Sequence, residues 1–181
     1  MKFGAWNVKC VVNRLPQKVA TAFGKVQETI IGATYEPVAY LGSQIANGTN
    51  HAVLAQQTIA NSTGTKNAVI LKFNERGMDC SLYAIEQLVD SNDAVFGGYS
   101  VNIVAGNDIP AEAVQAFKDV TCGWVGTKIE PVALLATKVV KGVDYTFLAM
   151  VTPVVQDATA SVKLVTVNSL ANTIDFVDVL N

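Results

Sequence analysis

Between residues 15 and 31 the apolar side chains fall at positions 15, 19, 22, 23, 26 and 30, the spacing of one helical face. Pro16 falls in the first turn of this expected helix, where its missing N–H costs nothing, and Gly32 supplies a stop. On both sides the pattern changes to β. Residues 6–12 alternate in part, and 35–46 and 50–60 are β-rich runs meeting at Asn47-Gly48, a pair that suits a tight hairpin turn. A polar loop over 61–66 follows, and then 67–74 and 80–89 form a second hairpin around 75–79. The same order returns downstream: a strand over 99–105, a helix over 109–121, strands over 128–140 and 143–155, a polar loop over 156–160, and strands over 161–167 and 174–180.

That return is a sequence repeat at an offset of 94 residues. GATYEPVAYLGSQIANGTNHAVLA begins at Gly32 and GTKIEPVALLATKVVKGVDYTFLA begins at Gly126. The Glu-Pro-Val-Ala quartet begins at Glu36 and again at Glu130, and Gly48 coincides with Gly142. Pro16 pairs with Pro110, Phe23 with Phe117, Leu54 with Leu148, and Asn74 with Asn168. Ungapped agreement of this extent marks a tandem duplication of a module of roughly 90 residues. The expected domains are 1–90 and 95–181, joined by a short linker over 90–94. Each is a strand, a helix and then four strands in two hairpins. The fold class is therefore α+β, with one helix packed across a four- to five-stranded antiparallel sheet in each module.

Composition narrows the function classes. The 181 residues are 50% hydrophobic and 15% charged, which provides ample apolar surface to offset the entropy of ordering. A net charge of −2 argues against a nucleic-acid partner. No apolar run is long enough to span a membrane. The start MKFGAWNVKC has no leader-like apolar stretch, so a cytoplasmic location is expected. Cys10, Cys80 and Cys122 are too few and too scattered for a disulfide framework or a zinc site, and are expected to be part-buried free thiols. The sequons at Asn47 and Asn61 are read as loop chemistry.

The order of elements and several motifs resemble the cystatin family. The first hairpin reads Gln44-Ile45-Ala46-Asn47-Gly48-Thr49-Asn50, in which Gln44 and Gly48 match the family's Gln-x-Val-x-Gly and Ala46 replaces its valine. Phe3-Gly4-Ala5-Trp6 is similar to the family's glycine-bearing start, and Phe96-Gly97-Gly98-Tyr99 repeats it. The four-cysteine pattern of secreted cystatins is absent, so the nearest class is stefin-like. The resemblance implies reversible inhibition of papain-like cysteine proteases by a three-part wedge. In module 1 its parts are Gly4, the turn Gln44–Gly48, and the second turn Arg76-Gly77-Met78-Asp79. In module 2 the equivalents are Gly97 and Gly98 with Lys138-Val139-Val140-Lys141-Gly142. Neither second hairpin carries the family's Pro-Trp, and Lys138 replaces the glutamine. The plainer reading of Asn47-Gly48 and Lys141-Gly142 is two good hairpin turns.

Enzyme chemistry finds no foothold in the sequence. His51 is the single histidine, its neighbours Asn50 and Ala52 build no nucleophilic site, and a solvated or half-buried strand position is expected for it. No phosphate loop, dinucleotide fingerprint or paired carboxylate is present, and no metal or cofactor is implied. Phe23 and Phe117 are expected in the core, and Trp6 and Tyr99, which follow the glycines, are expected to cover the helix in preference to projecting as contacts. The expected partner is a protein: a cysteine protease, or further copies of the chain. The alternative function is a structural or assembly protein, bacterial or viral, that reuses this fold and forms a homo-oligomer through apolar sheet faces, since strands such as 68–73 are apolar on both sides.

Overall fold

A computed structural model describes residues 4–91 and 97–180. Phe3, Phe96 and positions 92–94 of the expected linker lie outside the described residues. The chain divides into two units, Met1–Asp90 and Ser91–Asn181. The first contains β1 (Trp6–Val12), α1 (Gln17–Gln27), β2 (Ala33–Ala46), β3 (Gly48–Ile59), β4 (Lys66–Arg76) and β5 (Asp79–Asp90). They form a five-stranded antiparallel sheet in the order β1-β2-β3-β4-β5. The second contains β6 (Tyr99–Ala105), α2 (Ala111–Thr121), β7 (Thr127–Val140), β8 (Gly142–Pro153), β9 (Ser161–Asn168) and β10 (Ile174–Asp178), in the order β10-β9-β8-β7-β6. Both sheets have five strands, the upper end of the expectation. Asp90, expected in the linker, is the last residue of β5.

Both helices are shorter than their apolar spacing predicts, and proline explains their later starts. Leu15 and Ile109 each precede a proline, whose ring disfavours helical backbone in the residue before it. Ile109 is accordingly extended, at ψ 127°, and Pro16 and Pro110 flank the helices at ψ 140° instead of lying inside the first turn. The carbonyl of Pro16 still accepts the first helical bond, from Ala20 N at 2.9 Å. At the other end of α1, Thr29 N and Ile30 N bond to Val26 O and Gln27 O, tightening the chain out of the helix before Gly32. β8 stops at Pro153, not at position 155, and β10 stops at Asp178, not at 180.

In each unit the helix lies against one face of the sheet. Val19, Ala22, Phe23 and Val26 of α1 pack with Tyr40, Val53, Val69, Leu71 and Phe73. Ala113 and Phe117 of α2 pack with Leu134, Phe147, Val165 and Val167. Each buried valine, leucine or phenylalanine among them contributes about 1.5–3 kcal/mol by leaving water. The opposite face of the central strands is buried as well, at Leu41, Leu54 and Ile70 and at Leu135 and Leu148.

The thiols divide by environment. Cys122 is exposed, unlike the part-buried position expected of it, because it follows the last residue of α2. Cys10 is half-buried in β1, and burial pushes its thiol from 9.0 up to about 11. Alkylation at neutral pH is therefore expected at Cys122 well before Cys10. The unfolded chain releases the Cys10 proton near pH 9.0, whereas the folded chain holds it to about 11. This thiol's contribution to stability is fully present below pH 9.0 and lost as pH rises toward 11. A denaturation series across that window checks the sign, and a rise in stability would contradict it.

Candidate functional site

The three segments singled out in module 1 meet at one end of its sheet. The mechanism is a ladder of carboxamides. Strand pairing places Gln44 of β2 opposite Trp6 of β1 and Asn50 of β3, and Asn50 opposite Asn74 of β4. Gln44 Nε2 donates to the Gly4 carbonyl at 2.8 Å, Asn50 Nδ2 donates to Gln44 Oε1 at 2.8 Å, and Asn74 Nδ2 donates to Asn50 Oδ1 at 2.7 Å. The N-terminal glycine is thereby fixed to the first hairpin, and the first hairpin to the strand that leads into the second. Trp6, beside Gly4, is not part of any protruding surface. It is buried, with the Lys72 ammonium 5.6 Å from its ring, and Lys72 pairs with Glu86 at 2.5 Å.

On the helix-facing side of the same strands His51 is only 6% exposed, and so neither solvated nor half-buried. Its ring stands 5.4 Å from Phe73, and its nitrogens lie 3.1 Å from Tyr40 Oη and 3.1 Å from Glu75 Oε2. A carboxylate can only accept, so Nε2–H donates to Glu75, and in the neutral ring Nδ1 then accepts from the Tyr40 hydroxyl. Burial, offset in part by a Ser43 hydrogen bond and reinforced by the Glu75 charge, raises the Tyr40 pKa and keeps that hydroxyl a donor. The trio is a clasp. It ties the root of the first hairpin to Glu75, just before the second turn.

The second turn is tighter than expected. Arg76 pairs with Asp79, leaving only Gly77 and Met78 between the strands, with Gly77 at φ +65° as mirror-image hairpin turns require. Lys25 of α1 donates to the Met78 carbonyl at 2.9 Å and anchors this turn to the helix. The first turn is pressed onto the second. A side chain added at Gly48, whose φ is +103°, would place Cβ 2.5 Å from the Glu75 carbonyl oxygen. What protrudes beyond these fixed groups is apolar: Ile45 is 44% exposed and Met78 86%. Ala46 and Asn47 complete the exposed tip.

Module 2 builds the corresponding end from different chemistry. Lys138, Asp144 and Asn168 occupy the register positions of Gln44, Asn50 and Asn74. Asn168 Nδ2 donates to Asp144 Oδ1 at 2.7 Å, and the Lys138 ammonium lies 5.2 Å from the ring of Tyr99, which is only part-buried. Gly97 takes φ +75° and runs close to the Val139 carbonyl, with Gly98 leading into β6. The turn after β9 folds over Gly142. Ser169 exchanges hydrogen bonds with Val143, and Leu170 covers the glycine. Val139, Val140 and Leu170 are exposed there beside Lys141.

Reasoning from the sequence missed the clasp of Tyr40, His51 and Glu75, and missed Asn50 and Asn74 as ladder members. Counting outward from a two-residue Asn47-Gly48 turn sets Gln44 opposite His51, whereas in the structure Ala46 pairs with Gly48 across Asn47 alone, which shifts Gln44 opposite Asn50 and Ser43 opposite His51. Among the described residues no cluster of histidine, cysteine or acidic side chains could hold a metal ion. No helix of the described residues is long and apolar enough to cross a membrane. The sequence matches no protein-family model and no curated protein.

Proposed function

We propose that the chain is a non-enzymatic pair of protein-binding modules of cystatin type, and that module 1 reversibly inhibits papain-like cysteine proteases. The observation that carries this reading is the meeting of Gly4, the Gln44–Gly48 turn and the Arg76–Asp79 turn at one end of a single sheet, bound into one rigid edge. A protease cleft is concave and largely apolar, and Ile45 and Met78 supply apolar tips to fill it. An edge held by hydrogen bonds before docking loses little entropy on binding, which favours affinity without chemistry. Module 2 carries lysines at Lys138 and Lys141 in place of Gln44 and Asn47, so its partner differs in charge.

Titration of papain with the purified full-length chain tests the reading. Inhibition is expected below micromolar concentration, and an Ile45→Asp/Met78→Asp double variant is expected to lose it, because two carboxylates would be driven into an apolar cleft. No inhibition at micromolar concentration would sink the proposal. A stable homo-oligomer by light scattering, together with that failure, would favour the assembly reading.

A further inference from the structure

We propose that Asn47 is a covalent modification site: it deamidates, and conversion to aspartate or isoaspartate disrupts the apex of module 1. The consequence for inhibition rests on the function proposed above, whereas the modification itself does not. Glycine or serine follows asparagine at three places, Asn47-Gly48, Asn61-Ser62 and Asn168-Ser169. These small residues leave the following backbone nitrogen open to attack the asparagine side chain. The fold treats the three very differently.

Asn61 is locked. Its Nδ2 donates to Thr65 Oγ1 at 2.9 Å, and its Oδ1 accepts from Thr63 Oγ1 and from Thr65 N, both at 3.1 Å. Asn168 is locked too. Its Nδ2 donates to Asp144 Oδ1, and its Oδ1 accepts from Leu170 N at 2.9 Å and Ala171 N at 2.8 Å. Neither can swing its Cγ onto the next nitrogen without breaking several bonds. Asn47 is exposed at the hairpin tip, and among the described residues nothing holds its carboxamide. The residue that follows it must be glycine for a separate reason, the close approach of Gly48 to the Glu75 carbonyl. The packing that aligns the two hairpins therefore also creates the labile pair.

The reaction needs only water. Once the Gly48 amide proton is lost to solvent base, its nitrogen attacks Cγ of Asn47. A Gly48 N–Cγ bond forms, the Cγ–Nδ2 bond breaks, and ammonia leaves. Water then opens the five-membered imide at either carbonyl, giving aspartate or isoaspartate. Both products add a carboxylate to an apex that already carries Glu75 and Asp79. Isoaspartate also inserts a methylene into the main chain, immediately before a glycine with no slack against the Glu75 oxygen. Module 2 has Lys141 at the equivalent position and cannot undergo this step.

The test is to incubate the folded full-length chain in warm, mildly alkaline buffer and map its peptides by mass. A gain of one dalton is expected on the peptide containing Asn47, together with methyl acceptance from an isoaspartate methyltransferase. The Asn61 and Asn168 peptides are expected to stay unchanged until urea unfolds the chain. Asn47→Ala should abolish the gain, and the aged form should melt at a lower temperature than the fresh one. An unchanged Asn47 peptide in the folded chain, or equal conversion of Asn61 and Asn168 there, overturns the proposal, and so does an unaltered melting temperature. The aged form is further expected to inhibit papain at least about tenfold more weakly. Failure of fresh protein to inhibit papain counts against the proposed function alone, because mass and melting still decide the modification.

Discussion

Phe73→Ala is expected to lower the stability of module 1 by about 3–5 kcal/mol, enough to unfold a marginal domain. Phe73 is fully buried on β4, edge-on to Phe23 of α1 at a centroid distance of 6.2 Å and 5.4 Å from the His51 ring. Truncation removes the surface through which the helix grips the middle of the sheet. It also leaves a cavity beside a buried imidazole that depends on its neighbours to stay aligned with Glu75. The melting temperature should fall by about 4–8 °C for each kcal/mol lost. Thermal and urea denaturation of the full chain measure this directly. A cost below about 1 kcal/mol would mean that the site collapses to fill the space, and that the ring is not what holds α1 in place. Under the function proposed above, papain inhibition should be lost in parallel, since the clasp on Glu75 shares the Phe73 environment.

That aromatic pair also shows where sequence reading stops. The offset of 94 residues aligned Phe23 with Phe117, and both are core residues facing the sheet. It could not show their partners, because the second ring changes strand. Module 1 has Val53 on β3 and Phe73 on β4, while module 2 has Phe147 on β8 and Val167 on β9 at the equivalent positions. The volume is conserved across the core and not at any one position, so Phe117 meets Phe147 at 5.0 Å instead of a ring on β9. Strands, helices and turns were legible because each depends on local spacing and on glycine or proline. The helix starts were misplaced by two residues, because the residue before proline is disfavoured in helical backbone. The carboxamide ladder and the His51 clasp were not legible, because they depend on which residues face each other across three strands. A repeat that changes Gln44 to Lys138 and Asn50 to Asp144 hides the ladder further.

Gly48→Ala is expected to cost more than Gly142→Ala, although the two glycines are repeat equivalents with similar backbone angles, φ +103° and φ +93°. Both substitutions force a side chain into left-handed backbone, at about 1–3 kcal/mol each. The difference lies in what the new methyl meets. At Gly142 the nearest atoms are Leu170 Cγ at 2.9 Å and Ser169 Oγ at 3.0 Å, and Leu170 is largely exposed and can rotate away. At Gly48 the nearest atom is the Glu75 carbonyl oxygen at 2.5 Å, which is main chain and cannot move without parting the hairpins. Parting them also pulls the Glu75 carboxylate from His51, and a buried donor left without its acceptor costs about a further 1–3 kcal/mol. Comparing the two variants by urea denaturation isolates this extra term, since conformational strain is common to both. Under the function proposed above, papain titration should show the same order, with Gly48→Ala abolishing the inhibition and Gly142→Ala leaving it intact. Equal costs would mean that backbone strain accounts for both glycines and that close packing of one hairpin on the other contributes nothing. The aligned edge would then owe its shape to the carboxamide ladder alone, and Gln44→Ala would become the more damaging change.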